Sequence, residues 1–406
     1  MLHHSKLAMT ALAAVSLPVT VAYAQSGDTI TLGAAVSLTG KYTTNGEHTQ
    51  RGYDLAVDKI NGAGGVTVGD KAYTLEIKYY DDESTPARGA ELAERLIQQD
   101  GIEFMLGPYS SGMTKAIAPV TEEHKVPMVE ANGASRSLFT NGWEYIFATL
   151  STSEQYLRGA ITLVAEHAEE LGKEPGEIKV AMAFENDPFS QDVRAGVLDD
   201  MKEYGMEAVI DDQLPRELND MTATLTKVKA LEPDLLIVSG HSKGAATAIR
   251  QISEMQVNVS VLAMTHCDSA DIIGKFDEAA EYTLCATQWA PTLSYSDDLF
   301  GSAAEFAALF EETYGYAPPY QAAESAAAVQ VYADALERAG ELDSQKVRDA
   351  LSSTDMMTFY GPIDFDETGK NVAKPMALYQ VLDGEYKVVS PSDFAETDAV
   401  VPRPAM

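Results

Sequence analysis

The chain has 406 residues, with 62 acidic against 29 basic side chains and a formal net charge of −33. That balance excludes a nucleic-acid binder, which needs a basic surface, and argues against docking on anionic lipid. A 45% hydrophobic content is enough for a large core, and the length suits two domains.

The first 24 residues read as an export signal. Lys6 precedes an apolar run from Leu7 to Val21, broken by Pro18, and Ala22-Tyr23-Ala24 fits the small-x-small cleavage rule. The run is too short to span a bilayer comfortably, and no cysteine follows the cleavage site to take a lipid. The mature chain is expected to be soluble and exported, starting near Gln25.

From Thr29 strands and helices alternate. A strand over Thr31–Val36 ends in Ser37-Leu38-Thr39-Gly40, and a helix over Thr49–Ile60 stops at Asn61-Gly62-Ala63-Gly64-Gly65. A strand over Tyr73–Tyr80 leads to a helix from Ser84-Thr85-Pro86 to Gln99, with proline in its first turn. Next come strand Phe104–Leu106, a turn through Gly107-Pro108-Tyr109 into Ser110-Ser111, helix Met113–His124 and strand Pro127–Val129. A second small polar turn, Asn132-Gly133-Ala134-Ser135, precedes strand Tyr145–Thr149. The alternation then restarts: helix Glu154–Leu171, strand Lys179–Phe184, a helix from Asp187-Pro188 to Tyr204 and strand Ala208–Ile210. Helix Asp220–Ala230, strand Leu235–Val238, helix Ala245–Met255 and strands Val259–Met264 and Tyr282–Thr287 follow. Helices over Ala303–Tyr314, Tyr320–Ala339 and Ser344–Leu351 come next. The chain closes with strand Tyr360–Phe365 and a hairpin, Ala377–Leu382 with Tyr386–Val389, turned at Asp383-Gly384. Two successive strand–helix runs imply an α/β protein with two Rossmann-like lobes, each on its own parallel-sheet core.

Ligands of open α/β sheets sit beyond the carboxyl ends of parallel strands, so the turns after those ends carry the functional signal. In the first lobe such turns offer Tyr42, Ser110, Ser111, Gly133, Ala134 and Ser135; in the second, Asn186, Phe189, His241 and Asp268. Hydroxyls and backbone N–H groups at the start of a helix suit an anion. Aromatic rings and a carboxylate opposite them describe a site for a small zwitterion. Its carboxylate would meet Ser111 and the Gly133–Ser135 amides, and its ammonium would need an acceptor such as Asp268.

Gly240-His241-Ser242-Lys243-Gly244 matches the G-x-S-x-G of a nucleophile elbow between a strand and a helix. The only later histidine is His266, one strand downstream and too soon for a triad, so a secreted hydrolase is a minor alternative. No P-loop, G-x-G-x-x-G or HExxH occurs, so no cofactor is expected. No residues have paired metal-ligand spacing, and no metal centre or catalytic residue is expected. His241 and His266 read as cleft-wall residues. Cys267 and Cys285 could form one disulfide, though their spacing alone does not establish the geometry.

Taken together, the motifs resemble those of the exported solute-binding proteins of ABC importers, of the branched-chain amino-acid type with the periplasmic binding protein type I fold. The carriers are Gly33-Ala34-Ala35-Val36-Ser37-Leu38-Thr39-Gly40, Asn61-Gly62-Ala63-Gly64-Gly65-Val66, Gly107-Pro108-Tyr109-Ser110-Ser111-Gly112, Pro119 and Val126-Pro127. Asn132-Gly133-Ala134-Ser135 and Tyr360-Gly361-Pro362-Ile363-Asp364-Phe365 complete the pattern. The resemblance implies two lobes joined by three crossovers, here near Thr149, Trp289 and Gly361. It divides the chain into a first lobe of about 28–148 plus 290–359 and a second of about 149–289 plus 360–395. It implies ligand contacts at Ser111, Gly133, Ala134 and Ser135, an aromatic wall at Phe189, and His241 at the next polar turn, with Gln288 and Trp289 nearby. Where branched-chain binders place a glutamate for the ammonium, this chain reads Thr265-His266-Cys267-Asp268. Either Asp268 takes that role one position later, or the ligand lacks an ammonium. Arg136, after the second turn, is a further candidate for holding an acidic group. The expected role is a periplasmic, monomeric protein that captures an amino acid or related carboxylate and delivers it to ABC permease subunits. The alternative from another class is the ligand-sensing subunit of a receptor.

Overall fold

The computed structural model describes residues 28–404, so the export signal expected over 1–24 lies outside the described residues. The first half of the alternation runs β1 (Thr29–Val36), α1 (Thr43–Gly62), β2 (Val66–Val68), β3 (Lys71–Asp81), α2 (Pro86–Gln98), β4 (Met105–Leu106), α3 (Ser111–His124), β5 (Met128–Glu130) and β6 (Ile146–Ala148). The second half runs α4 (Arg158–Glu166), β7 (Lys179–Glu185), α5 (Pro188–Tyr204), β8 (Glu207–Leu214), α6 (Thr222–Leu231), β9 (Leu235–Ser239), α7 (Ser242–Glu254), β10 (Val261–Met264), α8 (Ile272–Phe276) and β11 (Leu284–Thr287). A short ladder, β12 (Ser296–Asp297) with β13 (Gly301–Ser302), precedes α9 (Ala303–Tyr314), α10 (Tyr320–Ala339) and α11 (Ser344–Leu351). The hairpins β14 (Asp355–Thr358) with β15 (Gly361–Asp364), and β16 (Ala377–Leu382) with β17 (Glu385–Ser390), end the chain.

Two sheets organise these elements, as the restart of the pattern implies. One has the order β2-β3-β1-β4-β5-β6 and the other β17-β16-β11-β10-β9-β7-β8. All pairs are parallel except β2 with β3 in the first sheet, and β11 with β16 and β16 with β17 in the second. The central strands β9 and β10 are buried along their whole length, as a parallel sheet covered on both faces requires. After β11 the chain returns to the first sheet, where α10 packs on α1, β2 and β5, and it comes back to the second with β16 and β17. The Asp383-Gly384 turn has positive φ at both residues, which suits a two-residue hairpin.

Several elements differ from expectation. Helix α1 starts at Thr43, not Thr49, because Thr43 to Gly46 are weak helix formers locally but are buried against neighbouring chain at Asn45 and Gly46. Helix α4 is shorter than the span Glu154–Leu171, with a 3-10 turn at Ser153–Gln155 and an end at Glu166. Strands β2 and helix α8 were too short for periodicity to reveal.

Candidate functional site

Each sheet contains one point where the chain steps to the opposite side of its starting strand. In the first sheet β1 lies between β3 and β4; in the second β7 lies between β8 and β9. The crevice at such a point is where open α/β sheets hold ligands. The segments leaving these strands face one another: Ser37–Tyr42, Gly107–Ser111 and Asn132–Ser135 from the first sheet, Glu185–Phe189, Gly240–Ser242 and Thr265–Asp268 from the second.

Between them lies a narrow space of about 10 Å³, room for about one water. Tyr109, Ser110, Ser111, Asn132 and Ala134 line it from one side, and Tyr156, Phe189, His241 and His266 from the other. The first turn of α10 adds Tyr320, Gln321 and Glu324. The two sides are shut down to this volume, so the lining and not the size of the space carries the chemistry. Its rings meet edge to face: Tyr156 with Phe189 at 5.0 Å between centroids, and Phe189 with His266 at 5.2 Å.

The polar contacts across the crevice centre on Tyr109. Its hydroxyl lies 2.8 Å from His241 Nδ1 and 2.9 Å from His266 Nε2. The hydroxyl can both donate and accept, so it can bond both rings at once. Burial, then His241, holds the His266 ring well below its ordinary pKa, so His266 is neutral. Burial also opposes charge on His241, but Asp187 and Glu185 outweigh it and its pKa lies above the ordinary value. Burial pushes Glu185 up to about 7, against the pull of His241. Asp187 stays below the carboxylate range despite burial, because His241 and the Ser190 N–H stabilise its charge.

The serine turn is built for close approach. Ser110 has φ 115° and a buried Oγ without a partner. Ser111 Oγ accepts from the Ser135 N–H at 2.9 Å, which leaves its own proton free to donate into the space. A Cβ on Gly133 would stand 2.4 Å from Thr114 Oγ1, so only glycine fits there.

The expected site residues separate into two groups. Ser110, Ser111, Ala134, Phe189 and His241 line the space, and Tyr42 stands behind them, its ring 4.7 Å from that of His241. Gly133 shapes the turn without lining the space, and Ser135 is turned away, bonded to Asp192 Oδ2 at 2.5 Å and Ser137. Ser135 is thus one corrected expectation, and three more follow. Asp268 does not face the space: its Oδ2 accepts from the Tyr320 N–H at 3.1 Å and its Oδ1 from the Ser269 N–H, and burial raises it to about 6. Trp289 is buried among Phe306 and Phe359 and donates to the Phe359 carbonyl at 3.1 Å. Arg136 pairs with Asp192 at 3.5 Å on the surface and holds nothing in the crevice. Ser242 bonds Asn45 Oδ1 and Ser269 Oγ, each at 2.7 Å, and among its described bonds there is no base. Cys267 and Cys285 form a disulfide, with Cα atoms 5.9 Å apart.

Glu324, Gln321 and Tyr320 were not anticipated. The clue was local: Gln321 and Glu324 are polar residues three apart at the start of a helix that is buried throughout from Tyr320 to Tyr332. Glu324 is held well above the carboxylate range by burial, then by Glu130.

A family model described as periplasmic binding protein matches residues 29–385. A Leu/Ile/Val-binding protein homolog from Brucella suis is 23% identical over 386 residues, 92% of this chain and 94% of its own. Among solved structures, the branched-chain amino acid transporter substrate binding protein LivJ from Streptococcus pneumoniae, in complex with isoleucine, aligns with TM-score 0.77 at 22% identity, over 92% of this chain and all of that one. An ABC transporter solute binding protein from Rhodopseudomonas palustris, in complex with 3,4-dihydroxybenzoic acid, aligns with TM-score 0.77 at 22% identity, over 92% and 99%.

Proposed function

Because the chain belongs to the periplasmic binding protein family, we propose that it captures a compact carboxylate solute between its lobes, in the periplasm, and delivers it to the permease of an ABC importer. In this reading the first lobe is 28–148 plus 290–359 and the second 149–289 plus 360–395, and the protein works as a monomer. The observation that carries it is the single space contributed by both switch-point crevices, with a hydroxyl-rich helix start on one side and rings on the other. The solute carboxylate meets Ser110, Ser111 and the first amides of α3, where the helix dipole favours negative charge. The body of the solute lies against Tyr156 and Phe189, and its far end faces His241, Tyr109 and Glu324. The protein does no bond chemistry; closure over the solute is its output. The relatives' names include both amino acids and hydroxybenzoates, and the lining offers Glu324 to an ammonium and the Tyr156 and Phe189 rings to an aromatic acid.

Melting the protein against a panel of amino acids and hydroxybenzoates tests this. A true ligand at about a thousand times its dissociation constant adds roughly 4 kcal/mol of stability. If no small carboxylate in the panel moves the melting temperature, the reading is wrong.

A further inference from the structure

Three buried side chains converge just behind the ring wall, at the switch point of the second sheet. Glu185 ends β7, Asp187 follows it, and His241 follows β9, the adjacent strand. One ligand-type atom from each lies within 4.8 Å of the other two. Each residue has one atom already fixed by the protein. Glu185 Oε1 accepts from the Leu218 N–H at 3.2 Å, Asp187 Oδ1 from the Ser190 N–H at 3.0 Å, and His241 Nδ1 meets the Tyr109 hydroxyl at 2.8 Å. The remaining atoms are turned inward. Asp187 Oδ2 lies 3.4 Å from His241 Nε2 and accepts only a long bond, 3.4 Å, from the Ser190 hydroxyl, and Glu185 Oε2 is fully buried and meets no donor. A Cβ on Gly240 or Gly244 would stand 2.7 or 2.8 Å from Glu185 Oε1, so both glycines keep room for this carboxylate.

We propose that Glu185, Asp187 and His241 form a site for a divalent transition-metal ion, with Zn2+ as its probe. One imidazole nitrogen and two carboxylate oxygens are the donor set that Zn2+ and its neighbours take, and two carboxylates balance the charge of the ion. The fixed atoms are the orienting contacts that metal ligands characteristically carry on their far side. A partnerless carboxylate oxygen in a sealed interior costs more than a hydrogen-bonded one, and a cation at the common point removes that cost. Glu185 and Asp187 stand two residues apart, and only the sheet order brings His241, from the end of the adjacent strand, to complete the set.

The test uses the mature full-length protein, stripped with a chelator and held in metal-free buffer without solute. Zn2+ is titrated by calorimetry and Co2+ by visible absorption. The expected result is one ion per chain in a low-coordinate nitrogen–oxygen site, seen as intense Co2+ bands. Binding weakens by more than about a hundredfold in Glu185→Gln and Asp187→Asn, and by about tenfold in Tyr109→Phe, which loses only the contact that orients His241. Zn2+ binding unchanged in both carboxylate variants would place the ion on the acidic surface and overturn the proposal, as would no binding to the wild type. If the variants do not fold, the wild-type spectrum decides: weak, six-coordinate Co2+ bands overturn it.

Discussion

Ser111 has one hydroxyl and two duties. It accepts from the Ser135 amide, and in the proposed reading its free proton goes to the solute. Ser111→Ala therefore strands both a backbone N–H and a ligand carboxylate, and solute binding measured by calorimetry should weaken by about 1–3 kcal/mol. Glu130 is a second residue with a measurable signature. It is fully buried, accepts from Thr114 and the Asn132 amide, and burial raises it to about 7. Its folded pKa lies above its unfolded one, so its contribution to stability is complete below about pH 4.5 and is lost as pH rises through about 7. Glu130→Gln cannot ionise. The stability of wild type relative to this variant should fall over that window by on the order of 3 kcal/mol, measured by urea unfolding at several pH values. Equal slopes for the two proteins would refute this. At this scale the sequence revealed Ser110, Ser111, Phe189 and His241, because each follows a strand end. It misplaced Asp268 and Trp289, because a position after a strand does not determine which way a side chain turns. Asp268 turns to cap the Tyr320 amide, and Trp289 turns into the aromatic cluster of Phe306 and Phe359.

The segment between β10 and β11 bears most of the second lobe's irregular conformation. His266 and Asp271 have positive φ, and the disulfide ties this segment at Cys267 to Cys285 in β11. Cross-linking a loop of this size removes unfolded-state entropy worth about 3 kcal/mol. Replacing both cysteines with serine should lower the melting temperature by several degrees and should raise amide exchange first around His266. Uniform exchange across both sheets would contradict the second expectation. Helix α10 is the other decisive element. It packs on the first sheet with α1 while its first turn carries Tyr320, Gln321 and Glu324 to the space shared with the second. Regular elements of this kind were legible: the strands Lys179–Glu185 and Leu235–Ser239 and the hairpin at Asp383-Gly384 follow from period and turn chemistry. The start of α1 and the extent of α4 were not, since packing against distant chain overrides local preference there.

The whole molecule combines a net charge of −33 with few cations to offset it. Many of its ion pairs are exposed, such as Arg250 with Glu254 and Lys346 with Glu341, and contribute little each. Self-repulsion should therefore dominate the salt response. Adding salt to about 1 M, where screening extends only about 3 Å, should raise the melting temperature; a fall would show that ion pairs outweigh repulsion. Tyr109 has a further effect at this scale. Its phenol belongs to the first sheet's side and both histidines to the second's, so the two halves grip each other even with nothing between them. Two such bonds, at about 1 kcal/mol each, tilt an idle molecule toward its shut form by more than tenfold. That bias shortens the wait after capture, and it also means the transporter must prise the jaws apart before the cargo can leave.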